Sequence, residues 1–164
     1  MAERDPSGPY LNFWYTSRME RDSSVYEEWY QISEEMVATW LSPENLEQRN
    51  TRSFQGFEIT DSLDGRTNPQ VEISLVRLLK EGQYPQHVHY KSDAYFIVTD
   101  GNAVFMSGND RIDMKKGDRV DVPRGKPHGF EIPAGETFQF ISLQSPPIKD
   151  EETGEEDFHL TNHV

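Results

Sequence analysis

Short strand-like segments separated by turn residues follow one another from about residue 54 to residue 148 of this 164-residue chain. They are rich in β-branched and aromatic residues, and most of them stop at glycine, proline, asparagine or aspartate. No helical pattern lies between them. About eight short strands in this arrangement predict an antiparallel sandwich or barrel, and the lack of intervening helices argues against a parallel α/β sheet.

The turns between these segments carry specific signals. Asp100-Gly101 is a dipeptide typical of a tight hairpin, so we expect a turn between the segments 94–99 and 103–106. Pro123 ends a further segment, at a place where the loss of a backbone N–H donor is harmless. The predicted strands are 71–78, 94–99, 103–106, 111–114, 119–122, 130–132 and 137–143.

The N-terminal third of the chain has a different pattern, which is typical of short helices. Residues 24–32 carry apolar side chains at helical spacing. Ser33 is a favoured N-cap for a second helix, and Ser42 followed by Pro43 predicts the start of a third. We expect the aromatic residues of this region to pack against the sheet or in a dimer contact.

The formal net charge of −13 is unevenly distributed. Residues 51–148 carry thirteen acidic and eleven basic side chains, so the strand-rich region is nearly neutral. We therefore expect three parts, an N-terminal arm with short helices over 1–53, a barrel over 54–148 and an acidic tail over 149–164. The tail has too few apolar residues to fold alone, although 158–160 (Phe-His-Leu) offers a segment that can clip onto the barrel.

Composition excludes several classes of function. An acidic chain is poorly suited to nucleic acid or to an anionic membrane surface, because both favour lysine and arginine. The chain has no cysteine, which excludes disulfides, thiolate metal sites and a cysteine nucleophile. No apolar run approaches the length of a membrane-spanning helix, and Met1–Pro9 lacks the apolar core of a signal peptide. We therefore expect a cytoplasmic protein with no membrane partner.

Three of the five histidines have the arrangement of metal ligands. His87 and His89 are separated by one residue, so on a strand both imidazoles point to the same face. His128 follows a proline- and glycine-containing turn that begins at Pro123. Imidazoles that converge on one point are suited to a divalent transition metal. The histidine pair alone is weak support for such a site, because surface strands also present it by chance.

The residues around these histidines have the order and spacing of two family motifs. The first set reads Gly82, four residues, His87-Val88-His89, four residues, Ala94, six residues, Gly101. It resembles the first motif of the cupin superfamily, in which glutamate occupies the position of Ala94.

The second set comprises Gly117, Pro123, Gly125, His128 and Ile132. It resembles the second cupin motif, in which the position of Ile132 holds an asparagine. The two motifs occur in the family's order, and the resemblance is therefore specific for the fold. It is less specific for the reaction, since one fold hosts many functions.

The resemblance covers about residues 54–147 and implies an all-β fold. The implied architecture is a double-stranded β-helix, the cupin or jelly-roll barrel, here with a short N-terminal helical extension. By the same resemblance, His87, His89 and His128 hold one metal ion in the mouth of the barrel, and the protein is a homodimer.

The alanine at position 94 leaves three interpretations of the metal site. In the first, three histidines bind the metal and the remaining coordination positions are open, as is typical of catalytic sites. In the second, Asp93 supplies a carboxylate through a one-residue bulge, although strand alternation points Asp93 and Ala94 to opposite faces. In the third, the site has lost its metal and is only a pocket.

The resemblance favours an enzyme of the oxygenase type, a dioxygenase that acts on a small organic substrate. Three-histidine iron centres occur among cupin dioxygenases, so iron(II) is the favoured metal, with zinc, nickel, manganese and copper as alternatives. A non-catalytic small-molecule-binding cupin and a carbohydrate isomerase or epimerase are the alternative functions. No catalytic residue beyond the metal ligands is assigned.

Alternation along the predicted strands indicates an apolar pocket around the imidazoles. Such a lining suits a small organic molecule with one or two polar groups. His159 and His163 lie in the polar tail, and we expect both to be solvent-exposed rather than ligands. The residues predicted to share the inward face are Ala94, Phe96, Val98, Phe130 and Ile132.

Overall fold

The computed structural model describes residues 24–65, 70–150 and 152–161. In these ranges three short helices precede ten strands. The helices are α1 Ser24–Tyr30, α2 Glu34–Trp40 and α3 Pro43–Glu47. The strands are β1 Thr51–Phe54, β2 Phe57–Thr60, β3 Glu72–Leu78, β4 Gly82–Val88, β5 Asp93–Ser107, β6 Asp110–Lys115, β7 Arg119–Val122, β8 His128–Ile132, β9 Phe138–Ser145 and β10 His159–Leu160.

The helices begin where the capping residues predict. The Ser33 hydroxyl accepts a hydrogen bond from the Met36 N–H at 3.1 Å, and the Ser42 hydroxyl accepts one from the Asn45 N–H at 3.3 Å. Pro43 occupies the start of α3, where its missing N–H costs nothing. Helices this short are not stable alone, so packing against the sheet must supply their stability. No helix among the described residues is long and apolar enough to cross a membrane.

All strand pairs are antiparallel, and the sheet curls so that its two halves face each other. The hydrogen-bonded order is β1-β2-β3-β9-β5-β8-β4-β10, while β6 and β7 also pair with β5. The prediction of an all-β double-stranded β-helix with a short helical extension is confirmed. The division into an arm, a barrel and a tail stays a prediction, although the sheet itself begins at Thr51.

The prediction of a hairpin at Asp100-Gly101 is wrong. Strand β5 continues through this dipeptide, with a shift of register between Val98 and Asp100. Up to Gly101 the strand pairs with β7 and β9, and beyond it with β6 and β8. Gly101 has a φ of 80°, which only glycine adopts freely, so the dipeptide bends one long strand across both halves of the barrel.

Both faces of the sheet around β5 are buried. Phe96 and Val98 point into the barrel, where they join an interior cluster rich in phenylalanine. Tyr95 and Ile97 point outward and join a second cluster with Trp29 of α1. Burial of each such side chain contributes roughly 1.5–3 kcal/mol. The helical extension is therefore held by the outer face of the barrel.

Polar contacts fix the position of the extension. The Tyr30 hydroxyl donates to the Asp121 carboxylate at 2.8 Å, and the ring of Tyr30 meets that of Tyr95 edge-on at 5.2 Å. The Arg119 guanidinium donates to the Ile32 carbonyl at 2.7 Å, just beyond the end of α1. These contacts and the outer apolar cluster bind the start of the described chain to β5 and β7.

Gly101→Ala should destabilise the fold strongly. A methyl group at this position lies 2.0 Å from the Thr137 carbonyl oxygen, so the paired backbones of β5 and β9 must separate. Gly135→Ala is the matched control, since Gly135 has a φ of 77° and no atom lies within 4 Å of its added methyl group. We expect a loss of about 1 kcal/mol for Gly135→Ala and about 3 kcal/mol or more for Gly101→Ala, measured by urea unfolding. Equal losses in the two variants would contradict this account of the bend.

Candidate metal centre

Three buried histidines converge at one end of the barrel interior. His87 lies near the end of β4, His89 follows that strand, and His128 begins β8 directly opposite His87 in the strand register. One ring nitrogen of each histidine lies within 4.8 Å of those of the other two. The structure therefore brings together the three residues predicted as metal ligands, although whether they bind a metal stays a prediction.

Each histidine uses its Nδ1 atom for a contact with a backbone carbonyl oxygen. A carbonyl oxygen only accepts hydrogen bonds, so Nδ1 carries the proton and Nε2 keeps its lone pair for another partner. This is the tautomer that binds a metal through Nε2. The carbonyl partners are Pro85 for His87 at 3.3 Å, Asp157 for His89 at 2.5 Å and Lys126 for His128 at 3.0 Å.

Burial favours the neutral form of all three imidazoles. Burial, together with the nearby His89, lowers the pKa of His87 to about 3. Burial also lowers the pKa of His89, and it lowers that of His128 well below its usual range. Neutral imidazole is the form that ligates a metal, so no proton has to be displaced first.

The Nε2 atom of His128 has no hydrogen-bond partner among the described residues, and it is fully buried. A buried polar atom without a partner is costly, and native structures nearly always satisfy such atoms. A divalent transition metal held by the three histidines would give this atom a partner. The three imidazole donors, their neutral form and the unpartnered Nε2 atom of His128 all fit the divalent transition metal that the sequence predicts.

The residues at the missing glutamate position do not complete the ligand set. Ala94 is fully buried in the interior cluster. The Asp93 carboxylate instead accepts bonds from the Arg124 N–H and the Arg124 guanidinium, each at 2.8 Å. Asp93 is absent from the group of metal-capable side chains in the described ranges. The geometry favours the interpretation with three histidines and open coordination positions.

The histidines line a cavity of about 1450 Å³ among the described residues. This exceeds the roughly 300–1,000 Å³ typical of ligand pockets. Near the histidines the walls are aromatic, with Phe96 and Phe130 as predicted and Phe140 beside them. The cavity can therefore hold a small organic molecule and a shell of water.

A polar wall, which the sequence analysis missed, lines another part of the cavity. Its members bond to one another and to neighbouring residues. The Ser74 hydroxyl donates to Asp61 at 3.2 Å, and the Gln144 amide donates to Ser142 at 2.6 Å. The polar wall consists of Asp61, Glu72, Ser74, Ser142 and Gln144.

Alternation along β3 was the signal that could have found this wall. Glu72 and Ser74 alternate with Ile73 and Leu75, a pattern normally interpreted as a polar face toward water. Here Ile73 and Leu75 belong to the outer cluster that the helical extension covers. The polar face of the strand is consequently the inward one.

The C-terminal tail also reaches the site. Strand β10 pairs with β4 so that Leu160 lies opposite His87, and the Phe158 ring stacks on the His87 ring with centroids 4.1 Å apart. His159 is exposed, as expected, and its Nε2 lies 3.1 Å from an oxygen of Asp157. His163 falls outside the described residues.

Known proteins share parts of this architecture. Residues 74–143 match the model of the cupin domain family. An uncharacterized protein of Methanocaldococcus jannaschii is 27% identical over 67 residues, which cover 41% of this chain and 54% of the relative. The chain thus spans about half the length of the curated relative that it matches.

Solved structures with the same fold have low sequence identity. Pac13, described as a nucleoside dehydratase and solved from Streptomyces, is 16% identical with a TM-score of 0.56, covering 73% of this chain and 89% of that one. The polyketide cyclase RemF from Streptomyces resistomycificus is 16% identical with a TM-score of 0.54, covering 61% and 75%. A Klebsiella pneumoniae protein with a double-stranded β-helix domain is 21% identical with a TM-score of 0.52, covering 68% and 89%.

These likenesses show the fold alone, and the family model matches the strands that carry the three histidines. The motifs, the strand order and the family match agree, and residues 74–143 of this chain form a cupin domain.

Proposed function

We propose that this chain is a metal-dependent enzyme that acts on a small organic substrate. One observation carries the proposal: three neutral imidazoles converge, each with Nδ1 held by a carbonyl, at the end of a cavity large enough for a substrate. The homodimer expected from the resemblance is part of this proposal.

The donor set guides the choice of metal and reaction. Three neutral nitrogen ligands suit iron(II), and they also suit zinc, nickel, manganese or copper. Iron(II) bound there would supply redox chemistry with dioxygen, and we propose a dioxygenase as the reaction type. Ala94 adds no ligand and little bulk, so coordination positions stay open for substrate.

The chain's own residues bind and orient the substrate. Phe96, Phe130 and Phe140 exclude water from the surroundings of the imidazoles and pack against an apolar part of the substrate. The hydroxyl of Ser142 and the amide of Gln144 offer hydrogen bonds to a polar group. Because the aromatic side chains lie near the imidazoles and the polar side chains line another part of the cavity, the apolar part of a substrate lies nearer the histidines.

A second candidate is a metal-dependent isomerase or epimerase, and Glu72 favours it. Burial, together with the nearby charge of Asp61, raises the pKa of this carboxyl to about 6. A carboxyl that titrates near neutral pH can take and return a proton at a carbon atom. Anaerobic assays separate the two candidates, because an isomerase keeps its turnover without dioxygen while a dioxygenase stops.

Purified protein should bind one divalent transition metal per chain. His128→Ala removes a ligand and should weaken the affinity more than about a hundredfold, measured by metal analysis and by competition with a chelator. His163→Ala is the control, since it removes an imidazole that is not a predicted ligand. Full metal content in His128→Ala would contradict the three-histidine site.

Iron(II)-loaded protein should consume dioxygen with one class among diketones, thiols and catechols. An oxygen electrode follows the reaction. Replacement of iron(II) by zinc should abolish uptake, because zinc has no redox chemistry. Uptake that is equal in the wild-type and His87→Ala proteins would be background oxidation, and no uptake with any class would argue against a dioxygenase.

Glu72→Gln should stabilise the protein at neutral and alkaline pH. The folded state holds the Glu72 proton more tightly than the unfolded chain, so its stabilising effect is complete below about pH 4.5 and is lost as the pH rises through about 6. Glutamine keeps the acceptor that bonds the Ser62 N–H at 3.0 Å. We expect a gain of about 1 kcal/mol at pH 8, since partial exposure screens the effect, and none at about pH 4.5.

Urea unfolding of both proteins across this pH range measures the difference. Glu81→Gln is the matched control, because Glu81 is exposed and lies outside the cavity. A gain that does not change between pH 4.5 and pH 8 would contradict the raised pKa.

A further inference from the structure

The C-terminal segment Glu156–Thr161, here called the strap, runs along β4, the strand that carries His87 and leads directly to His89. It includes β10, which pairs His159 with Val88 and Leu160 with His87. At its end the Thr161 N–H donates to the Gln86 carbonyl at 3.0 Å. The strap is therefore an additional edge strand beside the metal centre.

The Asp157 carboxylate binds the loop that follows His89. One oxygen accepts the Tyr90 N–H at 2.9 Å, and the other accepts those of Lys91 at 2.7 Å and Ser92 at 3.1 Å. Three consecutive backbone donors are thus satisfied by one side chain, and hydrogen bonds to a charged acceptor are the strong ones. This anchor joins the strap to the chain at the residue directly after His89.

The backbone of the same residue contacts the histidine itself. The Asp157 carbonyl oxygen lies 2.5 Å from Nδ1 of His89, and it is the partner that sets the tautomer of this imidazole. His87 and His128 take their carbonyl partners two residues away along their own chain, whereas the partner of His89 comes from 68 residues away. His89 therefore depends on the strap in a way that the other two do not.

Two further contacts hold the strap in place. The Phe158 ring lies on His87 and meets the Phe54 ring edge-on at 5.0 Å. The Arg52 guanidinium pairs with the Glu156 carboxylate at 3.1 Å. The strap is thus bound to β1 as well as to β4, and it contacts two of the three histidines.

We propose that the strap is a component of the metal centre and that Asp157 is its positioning residue. This inference rests on the proposed metal-binding function. The Asp157 carboxylate holds the loop and the strap together, and this fixes the carbonyl that orients His89 and keeps its Nε2 lone pair toward the other two histidines. A strap that only covers the edge of the sheet would affect stability and leave metal affinity unchanged.

The test compares two full-length variants that each lose one negative charge from the C-terminal tail. Asp157→Asn keeps the shape of the side chain but replaces one acceptor oxygen by an NH₂ group, which cannot accept an N–H bond. Glu155→Gln is the matched control, because Glu155 is exposed and lies two residues before Asp157. The comparison separates positioning from the general attraction of an acidic tail for cations.

Cobalt(II) is the probe, with its dissociation constant measured by competition with a chelator. We expect Asp157→Asn to bind cobalt(II) about tenfold to a hundredfold more weakly than Glu155→Gln, the range typical of residues that orient metal ligands. Near-ultraviolet circular dichroism confirms that each variant is folded before the titration.

A second readout needs no metal. Nitrogen-15 NMR of the histidine side chains in metal-free protein reports which ring nitrogen carries the proton. We expect His89 to be protonated at Nδ1 in the wild-type and Glu155→Gln proteins, and to populate both tautomers in Asp157→Asn. His128 takes its carbonyl from Lys126 and should keep one tautomer in all three proteins.

The outcomes are distinct. Equal cobalt(II) affinities for Asp157→Asn and Glu155→Gln, with an unchanged His89 tautomer, would overturn the role of Asp157 and leave the proposed function standing. A wild-type protein that binds no cobalt(II) would overturn the proposed function and the inference together. Weaker binding in Asp157→Asn with a mixed His89 tautomer supports both.

Discussion

Strand β5 hydrogen-bonds to four other strands, and the placement of the histidines depends on its bend at Gly101. Before the bend the strand pairs with β7 and β9, and after it with β6 and β8. Strand β8 is thereby placed beside β4, in the register that sets His128 opposite His87. The backbones at the bend approach so closely that a side chain on residue 101 meets the Thr137 carbonyl oxygen. A glycine outside the site thus supports the alignment of two predicted ligands.

Apolar side chains are buried on both the inner and the outer face of the sheet, and this explains why the cavity can contain polar residues. A small barrel surrounded by water has to place its apolar residues inside. Here Tyr95 and Ile97 point outward and are covered by the helical extension, so a second apolar cluster lies outside the sheet. The interior can then hold Glu72 and the buried histidines without losing all of the stabilisation that apolar burial provides. The cost of burying His87 is limited because its imidazole is neutral and its Nδ1 atom contacts a carbonyl oxygen.

The parts of the fold that local sequence encodes could be predicted. Ser33 and Ser42 cap helices because a serine hydroxyl needs only the next turn of the chain, and the spacing of His87 and His89 follows from strand alternation. Asp100-Gly101 was misleading, since the same backbone freedom serves a hairpin and a bend. The docking of residues 158–160 on the barrel was proposed from the sequence, but the inward position of the polar wall and the contact of the Asp157 carbonyl with His89 were not predicted. Both are decided by distant segments, and a backbone carbonyl such as that of Asp157 leaves no mark in the sequence.

The contacts between the strap and the histidines give the acidic tail a specific structural role. A divalent ion bound by three neutral imidazoles keeps both of its charges, and a buried charge is costly without an opposite charge nearby. In the cupin motif a glutamate at the position of Ala94 supplies a negative charge directly. Asp93 cannot replace it, because its carboxylate already pairs with Arg124. The Asp157 charge acts on His89, so the tail places a carboxylate beside the three predicted ligands while the group of metal-capable side chains stays three histidines. The net charge of −13 therefore reflects more than a solvated surface, since two of its acidic groups, Glu156 and Asp157, fasten the strap beside the candidate metal centre.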